Sequence, residues 1–119
     1  MVSETPRRGE VWLVALGAAR AGEAGKTRPA LIVSVDALNT GAPEELVVVV
    51  PLSSSLAPSA LRIDIEPIAG LDRDSRAICR AVRSVAASRL RRRLDRIGEA
   101  DMARVEEALS LILGLEGGG

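Results

Sequence analysis

The stretch GKTRPALIVSVD, from Gly25 to Asp36, opens as a small polar turn and turns into a strand of Leu, Ile and Val. Arg28 stands at the seam, directly before Pro29. A guanidinium offers planar, paired N–H donors that match phosphate oxygens, and it keeps its charge at any working pH. A loop supplies access while a strand fixes a side chain, so this placement suits an arginine that meets a phosphate. A structural ion pair is the other use of a cation there. Composition closes most other chemistry. Histidine is absent, which removes a Ser–His–Asp triad, the usual neutral-pH acid/base and the usual zinc ligand. Cys79 is the only cysteine, so no internal disulfide exists and a thiol–imidazole pair is impossible; it reads as a small core residue. There is no GxGxxG, no Walker A pattern and no CxxC. The acid pairs Asp64/Glu66 and Asp72/Asp74 fall in an exposed strand or a turn and read as surface charge. No metal site and no cofactor are expected.

What remains is arginine with a hydroxyl donor. That combination suits phosphoryl transfer, which can run on positioning and charge stabilisation alone. RNA carries its own nucleophile, the 2′-OH. A protein that aligns it, stabilises the dianionic phosphorane and manages two protons cleaves RNA without a metal. DNA lacks that hydroxyl. The charge pattern agrees with a polyanion partner. The net charge is zero, but residues 44–74 hold six acids and two arginines, whereas residues 76–104 hold nine arginines and three acids. A solvated basic face is the plainer reading of the same cluster. Trp12 is the only aromatic residue, so bases have no stacking platform of the RRM or OB kind.

The elements that must hold such a site are short. GEVWLVAL, PALIVSV, ELVVVVPLS and LRIDIE read as strands, separated by AGEAGK, LNTGAPEE and SSLAPSA, which carry turn chemistry. The unbroken valines of the third strand predict burial on both faces. PIAGLDRDS is a further turn. RAICRAVRSVA alternates with a phase slip between Arg80 and Arg83, which predicts two short strands or a bulge. The period then changes. Met102, Val105, Leu109 and Ile112 fall on one helical face, with Gly114 as C-cap. The expected form is a mainly β (α+β) chain, a small, strongly bent sheet or partly open barrel with a docked C-terminal helix. At 119 residues it suits a single domain over 1–119, with tails at 1–6 and 116–119. No apolar run is long enough to span a bilayer and MVSETPRRGE lacks a secretory core, so no membrane contact and a cytoplasmic location are expected.

Five collinear segments carry a resemblance. RRGEVWLV pairs a basic residue with Gly, an acid and Trp. GEAGKTRPALIVSVD fits G-x-E-x-G-K-x-R-P followed by a strand, and VVVVPLSSS fits V-x-x-P-L/I-T/S-S. DSRAICRAVRSVAASRL fits an S-x-A/V stretch that runs to I/V-R-S/T-I/V and R-L. MARVEEALSLILGL closes as a helix. Together they span residues 7–115, and the chain resembles the MazF/PemK/Kid family of toxin endoribonucleases. That resemblance implies an SH3-like β-barrel of the PemK/CcdB type with a C-terminal helix, usually as a homodimer. It implies metal-independent, sequence-selective cleavage of single-stranded RNA, leaving 2′,3′-cyclic phosphate and 5′-OH ends. It also implies a small acidic antitoxin as partner.

Carried over residue by residue, the resemblance makes Arg28 the catalytic arginine and puts Ser53 where the family usually has threonine. Glu23, Lys26, Ser54, Arg80 and Arg83 become substrate-binding candidates, with Glu23 also a candidate base. Ala81 stands where many members have glutamine, so any contact of that side chain is missing or taken over, for instance by Arg80. The plainer uses stay open: Ser53 as a turn former, Glu23 as a solvated loop acid, Trp12 as core or groove wall, and Arg91–Arg93 as a solvated face or an RNA-proximal patch. Two further functions stay open as well. One is a non-cleaving toxin of the gyrase-poison type on the same fold. The other is an inactive homologue that only binds RNA or antitoxin.

Overall fold

The computed structural model describes residues 5–17, 26–54, 61–68, 70, 71 and 74–115. Runs of β-branched residues become strands, and the one stretch of helical period becomes the helix. The strands are β1 Glu10–Ala15, β2 Thr27–Ile32, β3 Leu46–Ser53, β4 Arg62–Ile65, β5 Ser75–Ile78, β6 Arg83–Ala86 and β7 Leu90–Arg96. The helix α1 runs from Glu99 to Leu113. Every strand pair is antiparallel, in the order β4-β5-β3-β2-β1-β7, with β6 also pairing β3.

β3 organises the sheet. One of its edges pairs β6 over Leu46–Val49 and then β5 over Leu52–Ser53, while the other pairs β2 over Val49–Pro51. The turn between the first two partners is the expected phase slip, a 3-10 turn over Cys79–Ala81 that separates β5 from β6. A strand that changes partner along its length bends the sheet around it. The result is barrel-like but open, since among the described residues no ladder joins β4 to β7.

The valine run is buried as its pattern predicts: Val47, Val49 and Val50 have no exposure. Alternate residues of β1, β2 and β3 feed two clusters on opposite faces. Val11, Leu31, Val50 and Leu52 meet Met102, Val105 and Ala108 of α1 in the first. Trp12, Val14, Ala30, Ile32, Val47, Val49 and Val85 form the second. Cys79 lies in the first cluster, and burial pushes its thiol pKa up. Leu109 and Ile112 pack against that cluster too, which is the helical face read from spacing. Gly114 caps the helix with φ +69, donating its backbone N–H to the Ser110 carbonyl, as expected of a left-handed C-cap.

Two features depart from the sequence reading. Pro6, placed in an N-terminal tail, is fully buried. β7 was not anticipated, because three successive arginines carry no period of two. Pairing with β1 makes it a strand, with register shifts between Val11/Trp12 and Leu13/Val14. Such a shift inverts the phase of the side chains. So Leu90 packs on the second cluster and Leu94 on the first, although four residues apart they would share a face of a regular strand.

Candidate active site

Two prolines shape the mouth of the sheet. β2 and β3 pair at Ile32/Val49, Leu31/Val50 and Ala30/Pro51, and the ladder stops there. Proline has no N–H to donate, so it ends ladders or sits at their edges. Pro51 belongs to that last pair, and Pro29 lies one residue beyond it on β2. Continuing the same register sets Arg28 opposite Ser53, two residues beyond Ala30 and Pro51 and on the same faces as those residues. Arg28 keeps a pairing on its other side, with Val14 of β1, and Ser53 with Arg76 of β5. Each residue is therefore fixed by one neighbouring strand, and between them the sheet is unlaced.

A cleft of about 310 Å³ opens at this point. Arg28, Ser53 and Ser54 line it with Ser75, over an apolar floor that includes Leu13, Pro29 and Leu52. Gly70 and Leu71 form a further wall. Gly70 has φ +85, and a side chain there would also crowd Leu94, with a Cβ only 3.0 Å from Cδ2. Arg28 is exposed, so its guanidinium can meet a ligand without unfolding anything. The arrangement supplies a cation with paired donors and hydroxyls on an apolar base, a chemistry suited to an anionic phosphorus centre. Among the described residues no group of His, Cys, Asp or Glu is arranged to hold a metal ion.

Ser54 and Ser75 also line a second cavity of about 400 Å³, together with Asp64, Glu66, Asp74, Arg76 and Arg104. Its charges are largely cross-linked. Arg76 Nε donates to Asp64 Oδ1 at 2.8 Å, and Arg104 donates to the Asp64 carbonyl at 3.1 Å and pairs with Asp101.

The structure thus brings together three of the sequence-derived candidates, Arg28, Ser53 and Ser54. Lys26 is exposed and lies outside the cleft lining, but its carbonyl accepts from Leu16 N at 2.9 Å, which joins the end of β1 to the start of β2. Glu23 lies outside the described residues. Arg80 is exposed on the 3-10 turn and does not line the cleft. Arg83 does not line it either; its Nη1 donates to the Leu16 carbonyl at 2.9 Å. Sequence reasoning missed Ser75. The signal was there, since Ser75 opens the S-x-A stretch that was matched as a block rather than residue by residue. Asp101 was missed as well. It is 3% exposed and accepts from the Glu66 backbone N–H at 2.8 Å, which ties the first turn of α1 to the end of β4.

Comparison with known proteins agrees with this geometry. A family model described as PemK-like, MazF-like toxin of type II toxin-antitoxin system matches residues 7–113. The chain is 38% identical over 115 residues to Endoribonuclease MazF9 of Mycobacterium tuberculosis, covering 92% of this chain and 97% of that protein. It is 36% identical to a probable endoribonuclease MazF of Mycolicibacterium smegmatis over 93% of this chain and 99% of the relative. Among solved structures, MazF from Deinococcus radiodurans superposes with a TM-score of 0.74 at 27% identity, over 94% of this chain and 99% of that one. A mycobacterial endoribonuclease in complex with its cognate antitoxin also gives 0.74, at 25% identity, over 93% and 97%.

Proposed function

The chain belongs to the family of PemK-like, MazF-like toxins of type II toxin–antitoxin systems, and we propose that it acts there as a metal-independent endoribonuclease on single-stranded RNA. The observation that carries this reading is the cleft at the unlaced end of β2 and β3, which Arg28 and Ser53 line together. Bound RNA places a phosphodiester between them. The 2′-OH attacks the adjacent phosphorus, the bond to the 5′-oxygen breaks, and the products are a 2′,3′-cyclic phosphate and a 5′-OH end. Arg28 neutralises charge on the non-bridging oxygens and relays a proton to the leaving oxygen. Ser53 adds a neutral donor to the phosphate. Ser54, Lys26 and Arg80 bind the flanking backbone, and Glu23 is the candidate base for the 2′-OH proton. A cytoplasmic homodimer, restrained by a small acidic antitoxin, completes the proposal. The mycobacterial relative solved with its antitoxin supports that partner, and the excess of arginine over residues 76–104 suits an acidic chain.

The test is incubation of purified protein with a long single-stranded RNA in EDTA, beside Arg28→Ala. Discrete cuts with cyclic phosphate ends, absent in the variant, are expected. Intact RNA from a folded protein would reject cleavage and leave a toxin that acts without it, or an inactive binder.

A further inference from the structure

Arg28 depends on β1 alone for its backbone position. The ladder on its β3 side stops at Ala30/Pro51, whereas on the β1 side Arg28 pairs Val14 and Thr27 pairs Ala15. Whatever holds the end of β1 therefore holds Arg28. Beyond Ala15, where β1 ends, the N–H groups of Leu16 and Gly17 both donate to the Lys26 carbonyl, at 2.9 and 3.3 Å. The approach is close: a Cβ on Gly17 would sit 3.2 Å from Lys26 N.

On the opposite flank β1 outruns its partner. The ladder with β7 ends at Val14/Leu90, one residue before Ala15, which is itself buried. A carbonyl past the end of a ladder needs a donor from elsewhere. Arg89 Nη1 provides it, donating to the Ala15 carbonyl at 3.1 Å across 74 residues of chain. Arg83 Nη1 donates to the next carbonyl, Leu16, at 2.9 Å across 67 residues. Two guanidiniums from the β6–β7 segment thus grip consecutive carbonyls at the point where the chain leaves β1.

We propose that Arg83 and Arg89 are positioning residues: they clamp the end of β1 through the Ala15 and Leu16 carbonyls and so set where the β1-supported Arg28 stands in the cleft. The clamp rests on the ribonuclease reading for its catalytic consequence, but not for its structural one. Arg83 then contributes through Leu16 rather than as a ligand of RNA phosphate. Misplacement of a catalytic group by about 1 Å can cost on the order of 100-fold in rate, so the clamp acts on turnover more than on affinity.

The experiment compares the parent protein with Arg83→Met and Arg89→Met. It reads amide hydrogen exchange without RNA, the salt dependence of binding to an RNA with a 2′-deoxy scissile nucleotide, and kcat and KM for cleavable RNA. The clamp predicts faster exchange at Leu16 and Gly17 in both variants, with unchanged protection in α1. It predicts a fall in kcat of about tenfold or more, an affinity within about twofold and an unaltered salt slope. Arg83→Lys, which keeps a donor, should recover part of kcat. The proposal is overturned if these amides stay protected, or if Arg83→Met weakens binding and lowers the salt slope by about one, the mark of a lost phosphate contact. If the parent protein cuts no RNA, the ribonuclease reading fails by itself, and the exchange data still decide the clamp.

Discussion

Arg28 and Ser53 line one cleft where the β2–β3 ladder gives out at Pro29, which has no N–H to donate, each two residues beyond the last paired residues of β2 and β3. The gap makes room for a ligand, and the pairing of each residue with its other neighbour, Val14 and Arg76, holds the two sides in place. Access therefore comes from the early end of the β2–β3 ladder, and rigidity from the flanking strands β1 and β5.

Charge alone does not replace the fork of donors on Arg28. Arg28→Lys keeps the cation but loses the planar bidentate geometry. Cleavage in EDTA should fall by about 10²- to 10³-fold, with an unchanged thermal midpoint because the side chain is exposed. A lysine variant within a few-fold of the parent would mean that Arg28 acts only as a point charge.

Ser53 tests the neutral donor. Ser53→Ala should lower kcat by roughly tenfold to a hundredfold. Ser53→Thr keeps the hydroxyl on a side chain with fewer χ1 choices and should at least match the parent rate. The pair is measured side by side on one RNA; an alanine variant as fast as the parent would remove Ser53 from the mechanism.

Asp101 ties α1 to the end of β4 through the Glu66 backbone N–H, and within the helix it pairs with Arg104, whose guanidinium reaches the Asp64 carbonyl. It also sits in the first turn of the helix, where negative charge is favoured. Asp101→Ala should lower stability by about 2 kcal/mol, read from chemical denaturation. A midpoint equal to the parent's would show that solvent replaces both contacts.

Asp36 predicts an acid-side dependence. The Arg8 backbone N–H, donating to its carboxylate, holds its pKa below the ordinary 3.8, with help from Asn39 and the charges of Arg7 and Arg96 against a smaller opposing effect of burial. A lowered folded-state pKa stabilises the ionised form. Its contribution is complete above the ordinary value and is lost as pH falls through and below it. Asp36→Asn should therefore flatten the stability profile below about pH 4 and leave its shape at neutral pH alone. Parallel acid profiles for parent and variant would contradict this.

Much of this molecule can be read from its residues. The two-sided valines of β3, the break between β5 and β6, the helical face of α1 and the αL cap at Gly114 follow from local periodicity and turn chemistry, and those are properties of neighbours in the chain. Arg28 stands out for the same reason, because a seam between loop and strand is a local feature. β7 does not, since LRRRLDR has no period of two and becomes a strand only when β1 offers it an edge, with bulges that local pattern cannot encode. The division of labour among the arginines is also non-local. In sequence Arg80, Arg83 and Arg89 are equivalent cations. The register of β2 on β3 puts Arg28 beside Ser53, while the end of the β1–β7 ladder leaves carbonyls that turn Arg83 and Arg89 toward the backbone. The sequence determined which elements form and which residue types could do the chemistry. The tertiary structure decided that Arg28 meets Ser53 and that Arg83 and Arg89 turn to backbone carbonyls, because an unpaired carbonyl or an open strand end exists only once distant strands have met.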